Sequence, residues 1–327
     1  MSRHAKVWLG AALLNCAAMV APSAMQADGY PKKPITIVVP FPAGGSTDAL
    51  ARLVGEQVGA ELGQPVIVEN KPGASGAIAA SYVANSAPDG YTVFLGSSPV
   101  LAVNPSLYSK LPYDPLKDFE PIVLAAMLPN IVVVSSSSSM QSMQDLIASA
   151  KRSAPPLNYA SSVPGSPSHL GVEMLKHMTD IQAQQIPYKG GMAALTDLVG
   201  GQTSFMIAIL PEAMPLVESG KLKALAVTTS KRLGAYPDLP TVAESGVPDY
   251  ELIAWYGFVA PADTPSNILR TLNRAFNTAL EQPQTRKKLV DMSFEVEGGP
   301  AEKLSTLMQS EARKWEQVVK RANIKLD

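Results

Sequence analysis

The feature that most constrains the fold of this chain is a repeated alternation between short β-branched runs and longer helical stretches. ITIVVP (35–40) precedes DALARLVGEQVGAELG (48–63), PVIVEN (65–70) precedes GAIAASYVANSA (76–87), and the alternation continues to LKALAVTTS (222–230). Such alternation is typical of parallel strands joined by crossover helices. The sequence therefore predicts an α/β fold, and 327 residues are enough for one large domain or two ordinary ones.

One apolar run is too long for an ordinary strand. EPIVLAAMLPNIVVV (120–134) contains Pro129, and proline cannot donate to a strand ladder, so it fits a bend where a strand leaves one sheet for another. We interpret this run as a crossover between two lobes and ELIAWYGFVAP (251–261) as the return. The predicted lobes are residues 28–125 with 246–327, and residues 126–245.

The first 27 residues have the order of a secretory signal peptide: a short basic region with Arg3 and Lys6, a short apolar run, and small residues for cleavage. We expect cleavage and a periplasmic mature protein. The only cysteine, Cys16, lies in this segment. Its context LLNC faintly resembles a lipoprotein cleavage box, which leaves lipidation as an alternative.

Composition argues against several functions. A formal net charge of −1 indicates neither nucleic acid nor an anionic membrane as a partner. After cleavage only His169 and His177 remain, and no HExxH, GxSxG or clustered Cys/His pattern supports catalysis or a metal. We predict no enzyme, no cofactor and no metal.

The stretch PFPAGGSTDALAR (40–52) joins the first strand to the first helix. Gly44 and Gly45 can adopt positive φ, and Ser46, Thr47 or Asp48 can cap the helix that follows. The amides of such a turn form a site for an anion. No phosphate-loop pattern or lysine is present, so a carboxylate fits better. The alternative is an ordinary tight turn with no ligand.

A second turn repeats this arrangement in NYASSVPGSPSHLGVEMLKHM (158–178). Gly165, Ser166 and Ser168 offer amides and hydroxyls at a helix start. Simple helix capping remains the alternative. Because ligands of open α/β sheets lie outside the carboxyl ends of strands, the two loops are expected to hold one ligand between them.

Three further strand ends carry weaker signals. Ser97 and Ser98 end one strand, Tyr188 precedes a helix, and Ala208 and Ile209 end another strand.

Several stretches together resemble the extracytoplasmic solute-binding receptors of tripartite tricarboxylate transporters, the Bug family. They include residues 30–52, PVIVENKPGASG (65–76), YASSVPGSPSHL (159–170), IPYKGGMAALTDLVGGQ (186–202) and WYGFVAPADTP (255–265). The resemblance implies a two-lobed type II periplasmic binding protein with two crossover strands and a ligand cleft between the lobes. It also implies a carboxylate held by backbone amides, hydroxyls and water, and a two-component membrane permease as partner.

The resemblance places the ligand contacts at the loops described above. The expected ligand-binding residues are Phe41, Ala43, Gly44, Gly45, Ser46, Thr47, Asp48, Ser97, Ser98, Ser161, Ser162, Gly165, Ser166, Ser168, His169, Tyr188, Ala208 and Ile209. Many similar proteins carry Asp or Asn where this chain has Ala208 and Ile209. That departure predicts an apolar wall and a ligand with an apolar body, with aromatic mono- and dicarboxylates as first choices.

The sequence thus favours a monomeric periplasmic receptor that captures a small carboxylate and changes no covalent bond. A periplasmic sensor that presents a carboxylate to a signalling receptor is the alternative, and an enzyme is a remote one.

Overall fold

The computed structural model describes residues 29–162, 165–322 and 324, so the predicted signal peptide and Cys16 lie outside the described residues. The described residues from Pro31 onward form one compact unit. The strands are β1 (Ile35–Val39), β2 (Val66–Asn70), β3 (Thr92–Ser97), β4 (Phe119–Ser135), β5 (Leu157–Ser161), β6 (Ala183–Pro187), β7 (Phe205–Ile209), β8 (Leu222–Val227), β9 (Ile253–Pro261) and β10 (Glu295–Val296). The helices are α1 (Ser46–Leu62), α2 (Ala77–Ala84), α3 (Asn104–Leu107), α4 (Met143–Arg152), α5 (Pro167–Thr179), α6 (Gly191–Val199), α7 (Leu210–Glu218), α8 (Ser266–Glu281), α9 (Pro283–Asp291) and α10 (Ala301–Ala322).

The first half of the sheet is built on β1, which pairs in parallel with β2 and β3. In β1, Ile35, Ile37, Val38 and Val39 are fully buried. A strand covered on both faces by helices must be apolar at nearly every position, which is why ITIVV shows little alternation. β9 joins β3 in antiparallel orientation, and β4 follows.

The second half of the sheet repeats the plan, with β5 parallel to β6 and β7. Both β7 and β8 pair with β4 in antiparallel orientation. The prediction of parallel strands is therefore correct for the βαβ units. The strands that pass between the halves run antiparallel to their neighbours.

The proline bend lies where the sequence predicts it. β4 pairs with β9 up to Pro129, and from Asn130 onward it pairs with β7 and β8. The return passes the same point, because the Thr228 carbonyl accepts from the Leu252 amide and the Thr228 amide donates to the Asn130 carbonyl. The lobe boundaries drawn from the sequence stay a prediction, while the pairing change shows two crossovers side by side.

The C-terminal helix α10 contributes to apolar cores in both halves. Leu304 and Met308 pack with Trp255 and Val38 of the first half. Trp315, Val318 and Val319 pack in a cluster with Val132, Leu175 and Ile207 of the second half. In the part of the chain that the structure describes, none of the helices has the length and apolar character needed to cross a membrane.

Candidate functional site

A cavity of about 430 Å³ opens where strands of both halves end. Its walls come from the β1–α1 loop, the β3 end, the β5–α5 loop, β7 and β9. The residues that line it are Phe41, Pro42, Ala43, Gly45, Ser46, Thr47, Ser75, Ser97, Ser98, Pro99, Asn104, Leu107, Tyr108, Ser162, Gly165, Ser166, Pro167, Ile209, Ala254 and Tyr256. A larger groove, about 760 Å³, follows α10 on the surface, but none of the strand-end loops lines it.

The β1–α1 loop is held by one buried carboxylate. Asp48 is 4% exposed and accepts from the Gly44 amide at 3.0 Å, from Asn70 Nδ2 at 3.0 Å and from two nitrogens of Arg52 at 2.9 and 3.0 Å. The Arg52 hydrogen bond, with those of Gly44 and Asn70, lowers the pKa of Asp48 to about 2, against the opposing effect of burial. Asp48 is therefore ionised and neutralised by Arg52, and its role is to fix the loop.

The start of α1 differs from the sequence expectation in two ways. Only Gly44 has a positive φ, 88°, whereas Gly45 is extended with φ −83° and ψ 172°. The helix begins at Ser46 with Gly45 as N-cap and no side-chain cap, so none of the expected caps Ser46, Thr47 and Asp48 is the N-cap. The first intrahelical bond is from the Ala49 amide to the Gly45 carbonyl, so the preceding amides have no partner within the helix.

The β5–α5 loop uses a neutral side chain for the same purpose. The Gly165 amide, at a residue with φ 79°, donates to His169 Nδ1 at 3.0 Å. Because Nδ1 accepts, His169 is neutral and carries its proton on Nε2. Burial lowers the pKa of His169. The charge of Glu173 raises this pKa and that of Lys176 lowers it, both by less than burial does. The imidazole thus anchors the glycine turn.

Serine hydroxyls complete this loop. Ser168 Oγ accepts from the Ser162 amide at 2.9 Å and lies 2.8 Å from Ser166 Oγ. Ser161 Oγ is fully buried and accepts from Gln185 Nε2 at 2.8 Å. The amides of Ser162 and Gly165 are therefore occupied by the loop itself, and the loop residues that line the cavity are Ser162, Gly165, Ser166 and Pro167.

The sheet forms the floor of the cavity. Ser97 on β3 pairs with Tyr256 on β9, so their side chains share one face, and Ala254 lies two residues along that strand. Ser97 is 4% exposed, and its Oγ has no hydrogen-bond partner among the described residues. A buried hydroxyl needs a partner, and the position of this one at the cavity leaves it available to a ligand or a water molecule.

Tyr256 connects the floor to the first loop. Its hydroxyl interacts with the side chains of Thr47 and Ser46, and burial raises the pKa of Tyr256. The charge of Glu212, at the start of α7, also acts on Tyr256, and burial raises the pKa of Glu212. No charged side chain lines the cavity among the described residues, so an anion there would meet hydrogen-bond donors and helix dipoles.

A strained turn faces the same space. Ala74 and Ser75 have φ of 47° and 51°, which side chains other than glycine rarely adopt. The Ser75 carbonyl accepts from Asn104 Nδ2 at 3.1 Å, and Ser75 Oγ lies 2.7 Å from the Tyr108 hydroxyl. These bonds hold Ser75 against the cavity, and such strain is concentrated at functional sites.

The structure brings many of the sequence-predicted residues to the cavity. Those that line it are Phe41, Ala43, Gly45, Ser46, Thr47, Ser97, Ser98, Ser162, Gly165, Ser166 and Ile209. Five others lie behind it and hold the loops in place, and these are Gly44, Asp48, Ser161, Ser168 and His169.

Two predicted residues lie elsewhere. Ala208 is 1% exposed and packs in an apolar cluster with Ile131 and Met206, because side chains along β7 alternate and only Ile209 reaches the cavity. Tyr188 donates to Asp197 Oδ2 at 2.9 Å and packs against the same cluster. The expected apolar wall at this strand end therefore comes from Ile209 and not from Ala208.

The sequence interpretation missed nine lining residues: Pro42, Ser75, Pro99, Asn104, Leu107, Tyr108, Pro167, Ala254 and Tyr256. For Ala254 and Tyr256 a signal existed, since they alternate along the strand predicted as the return crossover. Ser75 and Tyr108 come from separate loops, and no pattern in the sequence links them.

Comparison with known proteins decides the family. Residues 50–324 match the sequence profile of TctC, described as the tripartite tricarboxylate transporter family receptor. The chain belongs to this receptor family. Its members are substrate-binding receptors and not enzymes, which confirms the predicted family and the predicted lack of catalysis.

Several solved structures share the fold of this chain. Rpa4515 of R. palustris, solved with adipate, is 39% identical, with a TM-score of 0.80 over 91% of this chain and all of that one. MatC of Rhodopseudomonas palustris, solved with bound malate, is 34% identical, with a TM-score of 0.76 over 89% of this chain and all of that one. The periplasmic binding protein BugD is 34% identical, with a TM-score of 0.76 over 91% of this chain and all of that one. These likenesses confirm the α/β binding-protein fold predicted for this receptor.

Proposed function

We propose that this receptor captures one small carboxylate in the 430 Å³ cavity and delivers it to a two-component membrane permease without changing a covalent bond. The observation that carries the proposal is a cavity lined by two helix-start loops and by hydroxyls, with no charged side chain among its described residues. Neutral donors at helix N-termini suit an anion of modest charge. That adipate and malate are bound in similar receptors supports the carboxylate class.

The two loops support the proposal in different ways. At the first, the backbone amides at the start of α1 are not used within the helix, and the hydroxyls of Ser46 and Thr47 stand beside them. At the second, Ser162 and Ser166 face the cavity while their neighbours fix the turn. A carboxylate between the loops would receive hydrogen bonds from both halves of the molecule.

The lining also favours a ligand with an apolar body. Leu107, Ile209, Ala254 and Phe41 contribute carbon surface to the cavity. Each Å² of apolar ligand surface buried there gains roughly 25 cal/mol, whereas a hydroxyl or amine left without a partner costs about 1–3 kcal/mol. Aromatic or alkyl mono- and dicarboxylates should therefore bind more tightly than citrate, malate or glutamate.

A thermal-shift screen with calorimetry tests this proposal. Terephthalate, benzoate, adipate, malate, citrate and glutamate are added to the purified receptor, with uncharged sugars and amines as controls. A ligand at 100 times its Kd should stabilise the protein by about 2.7 kcal/mol. Stabilisation by sugars or amines alone would contradict carboxylate capture, and tighter binding of citrate than of any apolar acid would contradict the ligand class.

Localisation and assembly form a second part of the proposal. The signal peptide predicted over residues 1–27 and the BugD likeness support the periplasm as the working compartment, and we propose that the receptor works there as a monomer. Mass spectrometry of the protein from a periplasmic extract should give a chain that starts near residue 28. Size-exclusion chromatography with light scattering should give a single chain, and uptake of the bound carboxylate should require the permease.

Closure of the cavity is the third part. The change of pairing at Pro129 and Asn130 and the adjacent return at Thr228 support a hinge between residues 28–125 with 246–327 and residues 126–245. Small-angle scattering should report a smaller radius of gyration with a saturating carboxylate than without it.

A further inference from the structure

The floor of the cavity continues from β9 across β4 to β7. On β4, Leu128 pairs with Ala254, and Asn130 pairs with Ile209. Paired residues of neighbouring strands share a face, and so do residues two apart on one strand. Since Ala254 and Ile209 both line the cavity, Asn130 lies on the cavity side of the sheet, between them.

The side chain of Asn130 has no hydrogen-bond partner among the described residues. The residue is completely buried, and neither its Nδ2 nor its Oδ1 forms a hydrogen bond with a described residue. The backbone carbonyl of Asn130 is satisfied, since it accepts from the amide and the hydroxyl of Thr228. Only the side-chain carboxamide is therefore left without a hydrogen bond. A buried carboxamide without partners is costly and is rare in folded proteins, so the position calls for a polar group that the protein does not supply.

Its location distinguishes Asn130 from other buried groups of this kind. Among the described residues, unpartnered buried side-chain atoms also belong to Ser97, Thr203 and Trp255. Ser97 lies on the same floor, next to Tyr256, whereas Trp255 packs in an apolar core and Thr203 lies beyond α6, at a separate surface pocket. Two unpartnered polar side chains therefore share the floor of one cavity.

We propose that Asn130 is a specificity-determining residue, which holds buried water beneath Ile209 and through it the second polar group of a dicarboxylate. This inference rests on the proposed function and names the chemistry of the ligand's far end. One carboxylate occupies the loops, the apolar body lies along Ile209 and Ala254, and the second carboxylate reaches the water on Asn130. Water is the link because the carboxamide is buried, can both donate and accept, and lies next to the lining without being part of it.

Calorimetry with two matched ligand pairs tests the inference. Adipate is compared with hexanoate and terephthalate with benzoate, so that each pair differs by one carboxylate. The wild type should prefer the dicarboxylate of each pair. Asn130→Leu, of similar size, should weaken the dicarboxylates by about 5- to 150-fold, the cost of one unpaired polar group, and should leave the monocarboxylates within about 3-fold.

Thr203→Val is the matched control. It also removes an unpartnered buried polar atom, but away from the cavity, and should leave all four affinities unchanged. In the ligand-free protein, Asn130→Leu should keep or raise the melting temperature, because it removes an unsatisfied group. If Asn130 had only a structural role, Asn130→Leu would instead lower the melting temperature. The ratio of dicarboxylate to monocarboxylate affinity would then stay as in the wild type.

If Asn130→Leu does not fold, Asn130→Asp, which keeps the shape of the side chain, takes its place in the calorimetry. Its preference for dicarboxylates should fall as pH rises and the new carboxyl ionises, while the wild-type preference stays constant. A ratio unchanged in both variants, or no dicarboxylate preference in the wild type, overturns the inference alone. Failure of these four acids and of malate, citrate and glutamate to bind the wild type overturns the proposed function, and the inference with it.

Discussion

The two loops at the cavity solve the same folding problem with different chemistry. In each, a glycine with positive φ donates its amide to a side chain four residues later: Gly44 to Asp48 Oδ2 and Gly165 to His169 Nδ1, both at 3.0 Å. Each bond closes a turn just before or within the first turn of a helix. The geometry is shared, and the acceptor is a carboxylate in one loop and an imidazole in the other.

The acceptor determines what else each loop needs. The Asp48 carboxylate requires a counter-charge, which Arg52 supplies, and the pair adds no net charge beside an anionic ligand. The His169 imidazole requires none, but it must stay unprotonated at Nδ1. An anion site can therefore be built with a charged or a neutral anchor. The charged anchor makes its loop sensitive to mutation, and the neutral anchor makes its loop sensitive to pH.

The largest effect is expected from Gly45→Val in the first loop. Gly45 has an extended backbone that valine accepts, and an added Cβ would meet only the Pro42 carbonyl, at 3.9 Å. Because Gly45 lines the cavity, the branched side chain should block it and weaken carboxylate binding at least about 100-fold, or about 2.7 kcal/mol, with the fold intact.

Gly190→Val is the control for this variant, since Gly190 is also an extended N-cap glycine with open space around it, away from the cavity. Calorimetry with terephthalate and adipate measures both. Wild-type affinity in Gly45→Val would mean that the first loop is only a turn.

Removal of the charged anchor should come next. Asp48→Ala removes the acceptor of the Gly44 amide and one acceptor each of Asn70 and Arg52, and should lower the free energy of unfolding by about 2 kcal/mol. Asp291→Ala removes an exposed partner of Lys287 with the same four-residue spacing and should cost less than about 0.5 kcal/mol. Denaturant titration compares the two, and equal costs would show that Asp48 does not anchor the loop.

The two left-handed glycines should behave alike despite their different anchors. Gly44→Ala and Gly165→Ala each place a side chain at positive φ, 88° and 79°, and should each destabilise the protein by about 1–2 kcal/mol. Gly45→Ala, at negative φ, should cost much less in unfolding experiments. Clearly unequal losses at Gly44 and Gly165 would show that the two turns are not equivalent.

The smallest expected effect is a difference in the pH at which each loop loses its contribution to stability. Since burial lowers the pKa of His169 below its unfolded value of 6.5, its contribution is complete above pH 6.5 and is lost as pH falls toward the lowered pKa. Protonation removes the acceptor of the Gly165 amide, a loss of about 1 kcal/mol. Asp48, with a pKa of about 2 against 3.8, should lose its contribution only between pH 3.8 and 2.

Unfolding free energies measured from pH 7.5 to 4.5 test this separation. His169→Asn, whose side-chain oxygen can replace Nδ1 as acceptor, should flatten the profile relative to the wild type. A wild-type profile that persists in His169→Asn would assign the pH dependence to other groups.

The sequence carried the fold and the position of both loops, because glycine turns between β-branched runs and helices are local signals. It did not reveal which glycine is left-handed or which residue anchors the turn. Ser46, Thr47 and Asp48 are equally good candidates in isolation. Asp48 becomes the anchor because Asn70, on β2, and Arg52, on α1, donate to its carboxylate.

Side-chain direction at strand ends was the second limit. A shift of one residue exchanges the two faces of a strand, so the sequence of β7 alone could not separate Ala208, in the core, from Ile209, at the cavity. Asn130 was equally hidden, because a polar residue after Pro129 is ordinary in a bend. Its significance depends on burial and on the pairing with Ile209.

The contribution of α10 to both apolar cores bears on how independently the two halves of the molecule can unfold. Leu304 and Met308 pack in one core, and Trp315, Val318 and Val319 pack in the other, so one 22-residue helix serves both. Detachment of α10 would expose apolar surface in both halves at once. The helix therefore couples the two halves, and we expect them to unfold together in one cooperative transition.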